Sequence, residues 1–473
     1  METIIGREEE IARLNKIAKS NSSAFVAVYG RRRVGKTFLI RNALPVFDFQ
    51  VTGMANVSTA TQLLNFHLAL KQYNQQFASD TPPANWLEAF TQLQALLEAK
   101  KSAKKIVFID ELPWFDTAGG GFLPALEHFW NSWASARTDI LLIGCGSAAS
   151  WIINKLLNSR GGLHNRVTDR ILLQPFTLKE CELFFSSRGA IFDRYQIVQL
   201  YMVMGGIPFY LSQVDPKLSA AQNIDRLCFS PSGILRTEFY NLYHSLFKNA
   251  ERHVQVIEAL SKKTKGLNRD ELLKASNMPD GGGTTRILRE LEESHFIRRY
   301  KAFGKKDKNS IYQLTDFYSL FYLRWVRGVA PDDDNYWVSQ LDTPAQNIWA
   351  GYAFEQVCLE HLPQIKRGLS IAGMRTEALA WAGKTDTEGA QIDLLIDRAD
   401  RVINICEMKF SIDAFAINKT YAEELKKKIR VFKEATKTRK AVHLILITTW
   451  GLVRNNYSDT LVQNELRMDV LFG

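Results

Sequence analysis

The segment 30–37 constrains the fold of this 473-residue chain more than any other feature. It reads Gly-Arg-Arg-Arg-Val-Gly-Lys-Thr and satisfies the pattern GxxxxGK(S/T) in full, after the apolar run 24–30 and before the apolar-periodic segment 38–44. In such loops the glycines let backbone N–H groups surround a phosphate, the lysine meets the β- and γ-phosphates, and the hydroxyl coordinates Mg²⁺. The pattern therefore predicts a loop that binds ATP and Mg²⁺, formed by Gly30, Arg33, Gly35, Lys36 and Thr37.

Two carboxylates stand at the end of a second strand-like run. Residues 106–109 read Ile-Val-Phe-Ile and are followed by Asp110 and Glu111. We expect Asp110 to belong to the Mg²⁺ shell and Glu111 to polarise the attacking water, the alternative being an ordinary strand terminus. A third run, residues 139–144, leads into small residues that include Ser147. Ser147 would reach the γ-phosphate or the water, unless the segment is only a tight turn that needs glycine.

These motifs resemble those of the prokaryotic AAA-like ATPases of the STAND class, the archaeal and bacterial DEXX-box group. The likeness includes the opening residues 5–10 and the segment 205–208, which reads Gly-Gly-Ile-Pro. The resemblance implies that Pro208 contacts the nucleotide base, although on physical grounds alone it is a loop residue. It also implies an arginine that senses the γ-phosphate. Arg166 is the first choice and Arg170 the second, and a solvated surface arginine is the alternative for each.

A basic region follows the predicted ATPase. Residues 251–330 hold 16 Lys or Arg against 10 Asp or Glu, which accounts for +6 of the net charge of +10. The pattern indicates three short helices and then a basic hairpin, an order typical of a winged helix, and such a basic density suits phosphate contacts. The alternative is a lid over the nucleotide or a protein contact. The residues expected to contact DNA are Arg286, Arg289, Arg298, Arg299, Lys305 and Lys306.

The C-terminal part combines a helix, three strands, a helix and a strand with carboxylates on the strands. Asp393 lies on or at the edge of one strand, and alternation along a later one places Glu407 and Lys409 on the same face. Two carboxylates can hold a divalent cation on a phosphodiester while a lysine orients water or balances charge. The arrangement resembles the PD-(D/E)xK nuclease superfamily, with Glu355 as an extra carboxylate, although Ile392 precedes Asp393 where a proline is usual. We therefore expect Mg²⁺ or Mn²⁺ at Asp393 and Glu407; the alternative is a nuclease fold kept for binding.

Composition and length bound the class of protein. At this length we expect two to four domains. No run approaches the roughly 18 to 20 apolar residues of a membrane span, and the first ten residues do not resemble a signal peptide. The five cysteines are widely spread without a CxxC pair, which argues against a disulfide framework or a cysteine-based zinc site and fits a reducing cytosol. The positive net charge mildly favours a polyanionic partner.

We therefore expect an α/β protein with a P-loop NTPase parallel sheet, a helical lid, a winged-helix domain and a C-terminal restriction-endonuclease-like domain. The expected bounds are 1–177 for the ATPase core, 178–249 for the lid, 250–330 for the winged helix, 331–346 for a linker and 347–473 for the nuclease-like domain. The predicted function is an ATP-hydrolysing switch of the AAA/STAND type coupled to a DNA-binding, metal-dependent nuclease. Its predicted partners are ATP, ADP and DNA, with homo-oligomerisation left open. The alternative is a slow nucleotide-dependent scaffold that binds DNA or other partners without cutting; a helicase-like motor is disfavoured because no second RecA-type domain is visible.

Overall fold

A computed structural model describes residues 4–74, 81–147, 149–158, 166–247, 249–300, 303–304, 310–330, 335–386 and 388–473. The chain divides into two units, Met1–Pro175 and Phe176–Gly473, and each has its own hydrophobic core. In the described part of the chain, no helix is both long and apolar enough to cross a membrane.

The N-terminal unit is built on five strands and the helices that cover them. The strands are β1 (Ala24–Tyr29), β2 (Phe49–Thr52), β3 (Lys105–Asp110), β4 (Ile140–Gly146) and β5 (Asp169–Leu172). The helices are α1 (Glu8–Ala18), α2 (Lys36–Ala43), α3 (Thr59–Tyr73), α4 (Trp86–Ala99), α5 (Phe122–Ser132) and α6 (Ala149–Trp151), with a π-helical turn at Ile152–Leu157. All strand pairs are parallel and the order is β2-β3-β4-β1-β5. The predicted α/β class with a parallel P-loop sheet is confirmed.

Strands β1, β3 and β4 lie where the sequence predicts them, whereas β2 and β5 were not predicted. The central strands β1 and β4 are buried along almost their whole length, as expected for a parallel sheet covered on both faces. By contrast, β2 and β5 have four residues each; β2 alternates buried with more exposed positions, and in β5 only Ile171 is buried. Such short mixed segments give no periodic signal in the sequence.

An aromatic core fixes the sheet beneath the loops. Trp86 of α4 has its ring centroid 4.9 Å from that of Phe122 and 5.6 Å from that of Phe115. All three side chains are fully or almost fully buried. Because close-packed interiors resist deformation, this core holds the carboxyl ends of β1, β3 and β4 at one edge of the sheet.

The second unit begins with a helical segment and continues into a small mixed segment. The helical segment comprises α7 (Leu178–Ser187), α8 (Arg194–Met204), α9 (Pro208–Leu211), α10 (Ala220–Ile224), a π-helical turn (Asp225–Phe229) and α11 (Glu238–His244). Next come α12 (Ala250–Ser261), β6 (Leu267–Asn268), α13 (Arg269–Ser276), α14 (Gly282–Glu293), β7 (Ile297–Tyr300) and β8 (Ile311–Leu314). We call the described residues between 250 and 314 the middle segment. Its three strands are antiparallel in the order β6-β8-β7, and its assignment as a winged helix stays a prediction.

The last part of the second unit contains a five-stranded mixed sheet. Its elements are α15 (Phe317–Phe321) with a π-helical turn (Tyr322–Val326), α16 (Tyr336–Ser339), α17 (Pro344–Glu360), α18 (Leu362–Gly368), β9 (Thr376–Lys384), β10 (Gly389–Arg398), β11 (Val402–Lys409), α19 (Lys419–Thr436), β12 (Ala441–Thr448), α20 (Asn456–Leu461) and β13 (Asn464–Arg467). The order is β13-β12-β11-β10-β9, in which β9, β10 and β11 are antiparallel and β11, β12 and β13 are parallel. Below, the C-terminal domain means α17 and everything after it.

The segment 331–346, predicted as a linker, contains the short helix α16. Trp337 is buried, and its ring centroid lies 5.3 Å from those of Trp325 and Trp349. The buried carboxylate of Asp225 accepts hydrogen bonds from the backbone N–H groups of Trp337 and Val338, at 2.7 and 2.9 Å. The described part of this segment is therefore packed, while residues 331–334 lie outside the described part; the predicted domain bounds stay predictions.

His361 joins the C-terminal domain to the helical segment. Its Nε2 accepts a hydrogen bond from the backbone N–H of Leu178 at 3.0 Å, and its Nδ1 donates to the carbonyl of Val357 at 2.8 Å. Burial lowers the pKa of His361 to about 4. The imidazole is therefore neutral at physiological pH, in the tautomer that leaves Nε2 free to accept.

We expect His361 to make the stability of the protein depend on pH. Its folded-state pKa is depressed, so its contribution is fully present above the ordinary value of 6.5 and is lost as the pH falls towards 4. The difference corresponds to roughly 3 kcal/mol. In His361→Gln, whose side chain does not titrate, urea unfolding midpoints should fall less between pH 6.5 and 4.5 than in the wild type. His128→Gln, at an exposed position, is the control, and equal pH dependence in all three proteins would contradict the assignment.

Candidate functional site

The loop between β1 and α2 has the backbone conformation of a phosphate-binding loop. Gly30, Arg33 and Gly35 have φ of 144°, 70° and 90°, all in the left-handed range. A Cβ on Gly30 would lie 2.3 Å from the carbonyl oxygen of Leu173, so only glycine fits there. Consecutive turns of this kind direct backbone N–H groups to one side and create a concave site for an anion at the start of a helix.

Lys36 is the first residue of α2, and its side chain is buried under the loop. Its Nζ donates hydrogen bonds to the carbonyls of Gly30 and Arg31, at 3.0 and 2.9 Å. Burial lowers the pKa of Lys36, while the carboxylates of Glu111 and Asp110 act in the opposite direction. An ammonium group held by two carbonyls in a buried loop can exchange these partners for phosphate oxygens.

Thr37 and Asp110 meet at the carboxyl edge of the sheet. Asp110 ends β3, is buried, and accepts a hydrogen bond from Thr37 Oγ1 at 2.9 Å. Its other oxygen accepts from the backbone N–H of Glu111 at 3.0 Å. A hydroxyl and a carboxylate side by side offer the hard oxygen ligands that Mg²⁺ prefers, in the small number that leaves room for water and phosphate. The donor set therefore fits the predicted magnesium ion.

Glu111 and Ser147 are bonded to each other across the ends of β3 and β4. Ser147 Oγ donates to Glu111 Oε1 at 2.8 Å, and the backbone N–H of Ser147 donates to Oε2 at 3.3 Å. Glu111 has a left-handed backbone with φ of 47°, and Gly53 packs close to its carbonyl oxygen, where a Cβ would lie at 2.7 Å. The sequence placed Ser147 near the γ-phosphate or the water, but its contact with Glu111 was not predicted.

Cys145 is a further buried group that sequence reasoning missed. It lies on β4, and burial, together with the charge of Asp110, raises the pKa of its thiol well above the ordinary value. The thiol is therefore neutral beside Lys36 and Asp110. Because Cys145 lies within a continuous apolar strand, the sequence did not indicate that its thiol would lie near the nucleotide site.

The remaining nucleotide contacts of the sequence prediction stay predictions. Arg166 and Arg170 are exposed, with Arg170 on β5. Pro208 begins α9 in the second unit, two residues after Gly206. A Cβ on Gly206 would lie 2.2 Å from the carbonyl oxygen of Phe176, so this turn requires glycine for packing alone.

In the C-terminal domain, Asp393 and Glu407 lie on neighbouring antiparallel strands. The ladder pairs Leu394 with Cys406, and the next residues outward are Asp393 on β10 and Glu407 on β11. The pairing of β10 with β9 is irregular between Ile392 and Leu395, which places Asp393 at a bulge. The strands thus bring the two predicted carboxylates to one end of the sheet.

Glu407 is surrounded by donors from α19. It is buried and accepts hydrogen bonds from Tyr421 Oη at 3.1 Å and from Lys428 Nζ at 2.5 Å. Lys409 Nζ lies 4.6 Å from the ring centroid of Tyr421. Tyr421 and Lys428 were not predicted as site residues, because they stand on a separate helix whose rotation the sequence does not specify.

Glu355 of α17 completes a group that we call the carboxylate cluster: Glu355, Asp393 and Glu407. Burial raises the pKa of Glu355 to about 8, and the negative charges of Asp393 and Glu407 act in the same direction. Lys265 of the middle segment reaches this group, with its Nζ 3.9 Å from Asp393 Oδ1. In the residues that the structure describes, no three or more His, Cys, Asp or Glu side chains are grouped so as to hold a metal ion. The predicted divalent cation at Asp393 and Glu407 stays a prediction.

The predicted DNA-contacting arginines all have acidic neighbours. Arg286, Arg289 and Arg299 are exposed and lie 2.7, 3.9 and 3.8 Å from Glu290, Glu293 and Glu292. Arg298 is turned towards the C-terminal domain, where it donates to Gln356. Lys305 and Lys306 lie outside the described residues.

Comparison with known proteins identifies the N-terminal region. Residues 4–214 match the family model described as an ATPase domain predominantly from Archaea. This range contains the phosphate loop, Asp110, Glu111 and Ser147. The chain therefore contains a P-loop ATPase domain.

Individual proteins are similar over larger parts of the chain. An uncharacterized protein of Methanocaldococcus jannaschii is 26% identical over 379 residues, which cover 77% of this chain and 78% of that protein. The structure of the Walker-type ATPase of Pyrococcus abyssi is 16% identical and covers 68% of this chain and 96% of its own, with a TM-score of 0.49. The ORC2 protein of Aeropyrum pernix is 14% identical over 68% of this chain and 94% of its own, with a TM-score of 0.41.

We expect nucleotide binding to depend on Lys36. In Lys36→Ala the charge that meets two phosphates in a buried loop is lost, so the affinity for MgATP should fall by about 10²-fold or more. Isothermal titration calorimetry measures this, with Lys101→Ala as a control. Lys101 is also a lysine but is exposed and precedes β3, at the opposite edge of the sheet. Unchanged affinity in a folded Lys36→Ala protein would refute the assignment.

Proposed function

We propose that this protein is a Mg²⁺-dependent, ATP-hydrolysing switch of the AAA/STAND type. The observation that supports this most strongly is the contact of Thr37 with Asp110 and of Ser147 with Glu111 beside the phosphate loop. These contacts bring a metal-ligand pair and a candidate base to the place where a γ-phosphate would lie. The family match of residues 4–214 supports the same activity.

Each residue of the site has a separate task in this proposal. Lys36 gives up its two carbonyl partners and binds the β- and γ-phosphate oxygens, which places a positive charge where negative charge develops. Mg²⁺, held by Thr37 and Asp110, would neutralise the phosphates. Glu111 accepts a proton from the attacking water, whose oxygen bonds to the γ-phosphorus while the bond to the β–γ bridging oxygen breaks and ADP leaves.

Ser147 acts as a positioning residue for Glu111. With Oε1 and Oε2 both accepting hydrogen bonds from Ser147, the carboxylate is turned towards β4. Each carboxylate oxygen of Glu111 keeps a second lone pair, so the base can accept from water while it stays bonded to Ser147. A contact between the base and the end of the neighbouring strand thus links hydrolysis to the position of β4.

We expect Glu111→Gln to bind ATP and barely hydrolyse it. The amide keeps the shape of the side chain but cannot take the proton, and removing a positioned base lowers kcat by roughly 10²–10⁴-fold. Ser147→Ala is the matched variant, because it removes the side-chain donor and leaves the base in place; its kcat should stay within about tenfold of the wild type. Phosphate release and MgATP affinity are measured on all three proteins. Near-normal turnover of Glu111→Gln would show that another group activates the water.

The middle segment is the proposed DNA-binding part of the switch. Arg286, Arg289 and Arg299 are exposed on α14 and β7, where phosphates of a duplex can reach them. The neighbouring glutamates weaken the attraction of these arginines for DNA phosphates. Each arginine must give up its ion pair with a glutamate in order to form one with a phosphate. Such exposed pairs are worth little individually and are screened by salt. The proposed binding is therefore electrostatic and independent of sequence.

For the C-terminal domain, the arrangement of charges favours binding without cleavage over the predicted nuclease. Lys428 and Tyr421 occupy both oxygens of Glu407, and Lys265 lies near Asp393. A lysine on each carboxylate takes the place that a divalent cation would need. The proposed role of the domain is therefore to bind DNA or a protein under control of the ATPase.

This role predicts that the C-terminal domain does not cut DNA. Plasmid and linear duplexes should stay intact with Mg²⁺ or Mn²⁺, with and without ATP, at protein concentrations that bind them. Asp393→Ala and Lys409→Ala should behave as the wild type does in the same gel assay. Metal-dependent cutting by the wild type that both variants abolish would establish the nuclease instead.

A further inference from the structure

Arg298 connects the middle segment to the C-terminal domain. Its guanidinium donates to Gln313 Oε1 within the middle segment, at 2.9 and 2.6 Å, and to Gln356 Oε1 of α17 at 2.8 Å. Glu360, one turn further along α17, lies 4.0 Å away. A residue predicted to contact DNA is therefore held by two amides and lies beside a carboxylate of the same chain.

Further contacts connect the same two parts of the chain. Tyr352 Oη of α17 donates to the carbonyl of Thr264 at 2.8 Å. The backbone N–H of Phe303 donates to the carbonyl of Ala380 on β9 at 2.9 Å, and the Phe303 ring centroid lies 5.5 Å from that of Phe432. β9 is an edge strand, so the Ala380 carbonyl on its outer side can accept this hydrogen bond from Phe303. Among the described residues, the interface thus includes single hydrogen bonds, one ring contact and the ion pairs of Arg298 with Glu360 and of Lys265 with Asp393.

A cavity of about 140 Å³ lies within this interface. The middle segment supplies Lys265, Arg298 and Tyr300 to its lining, and the C-terminal domain supplies Glu355 and Asp393. Cations of one part thus line the same cavity as carboxylates of the other. Interfaces that are polar and incompletely packed separate at lower cost than a close-packed core.

We propose that the middle segment is a removable cover on the carboxylate cluster, and that duplex DNA displaces it. Arg298 and Lys265 cannot satisfy their acidic and amide partners in the C-terminal domain and DNA phosphates at the same time. Phosphates that bind these cations therefore favour the open arrangement, since a ligand shifts an equilibrium towards the state that it binds better. Opening exposes Tyr352, Gln356 and the cluster to a second ligand. The proposal rests on the proposed DNA contact of the middle segment.

A single cysteine under the cover tests this directly. Gln356 is only 1% exposed, and all five native cysteines are buried, so a maleimide should label Gln356→Cys slowly. Saturating duplex DNA should raise its labelling rate by about tenfold or more. Cys358, two residues further along α17, is the internal control, because global unfolding would expose it as well. Mass spectrometry of the labelled peptide distinguishes the two positions.

A second variant guards against an effect of the substitution itself. Gln356→Cys removes an acceptor of Arg298, whereas Ala380→Cys lines the same cavity and keeps every hydrogen bond of the interface. Both cysteines should respond to DNA, and Arg298→Gln introduced into Ala380→Cys should raise the labelling rate without DNA. Fluorescence anisotropy of a labelled duplex is measured on the same samples. Absence of binding would mean that the proposed DNA contact fails, whereas binding with unchanged labelling at both positions would mean that the segment is not a cover.

Discussion

The parallel ladder that joins β3, β4 and β1 is the constraint on which the nucleotide site depends. Parallel strands end at a common edge, and the burial of β1 and β4 on both faces prevents one strand from shifting against the next. The phosphate loop follows β1, Asp110 ends β3 and Ser147 follows β4. Three segments that are far apart in sequence therefore supply a concave anion site, two oxygen ligands and a base with its partner, all from one rigid edge.

The features that could be predicted from the sequence are those encoded in a continuous stretch. The loop 30–37, the apolar runs of β1, β3 and β4 and the acidic pair after β3 each occupy fewer than ten consecutive residues. The short edge strands β2 and β5 lack such a signal, and their places in the sheet follow from tertiary packing. In the predicted linker, Trp337 is buried by rings that come from both sides of it in the chain. The acidic, proline-containing residues 331–334 stand just before Trp337. They favoured the interpretation of this segment as a linker, so the burial of Trp337 was not predicted.

Contacts between distant residues were the part that could not be predicted. Lys428 reaches Glu407 from 21 residues away, and Arg298 reaches Gln356 from 58 residues away. Both depend on how a helix is rotated against a sheet, which a single sequence does not reveal. Lys428 on α19 forms an ion pair with Glu407, a carboxylate that was expected to hold a metal. Which charged groups pair with one another in the C-terminal domain could therefore not be predicted.

The pair formed by Glu111 and Ser147 also ties the candidate base to the edge of the sheet. Each of its two hydrogen bonds contributes about 1 kcal/mol net, more when the acceptor is charged. Together they keep the carboxylate turned towards the end of β4. On the proposed function, a movement of the end of β4 would therefore be transmitted to the orientation of the base. Such a movement would change the lifetime of the ATP-bound form without any change at the phosphates.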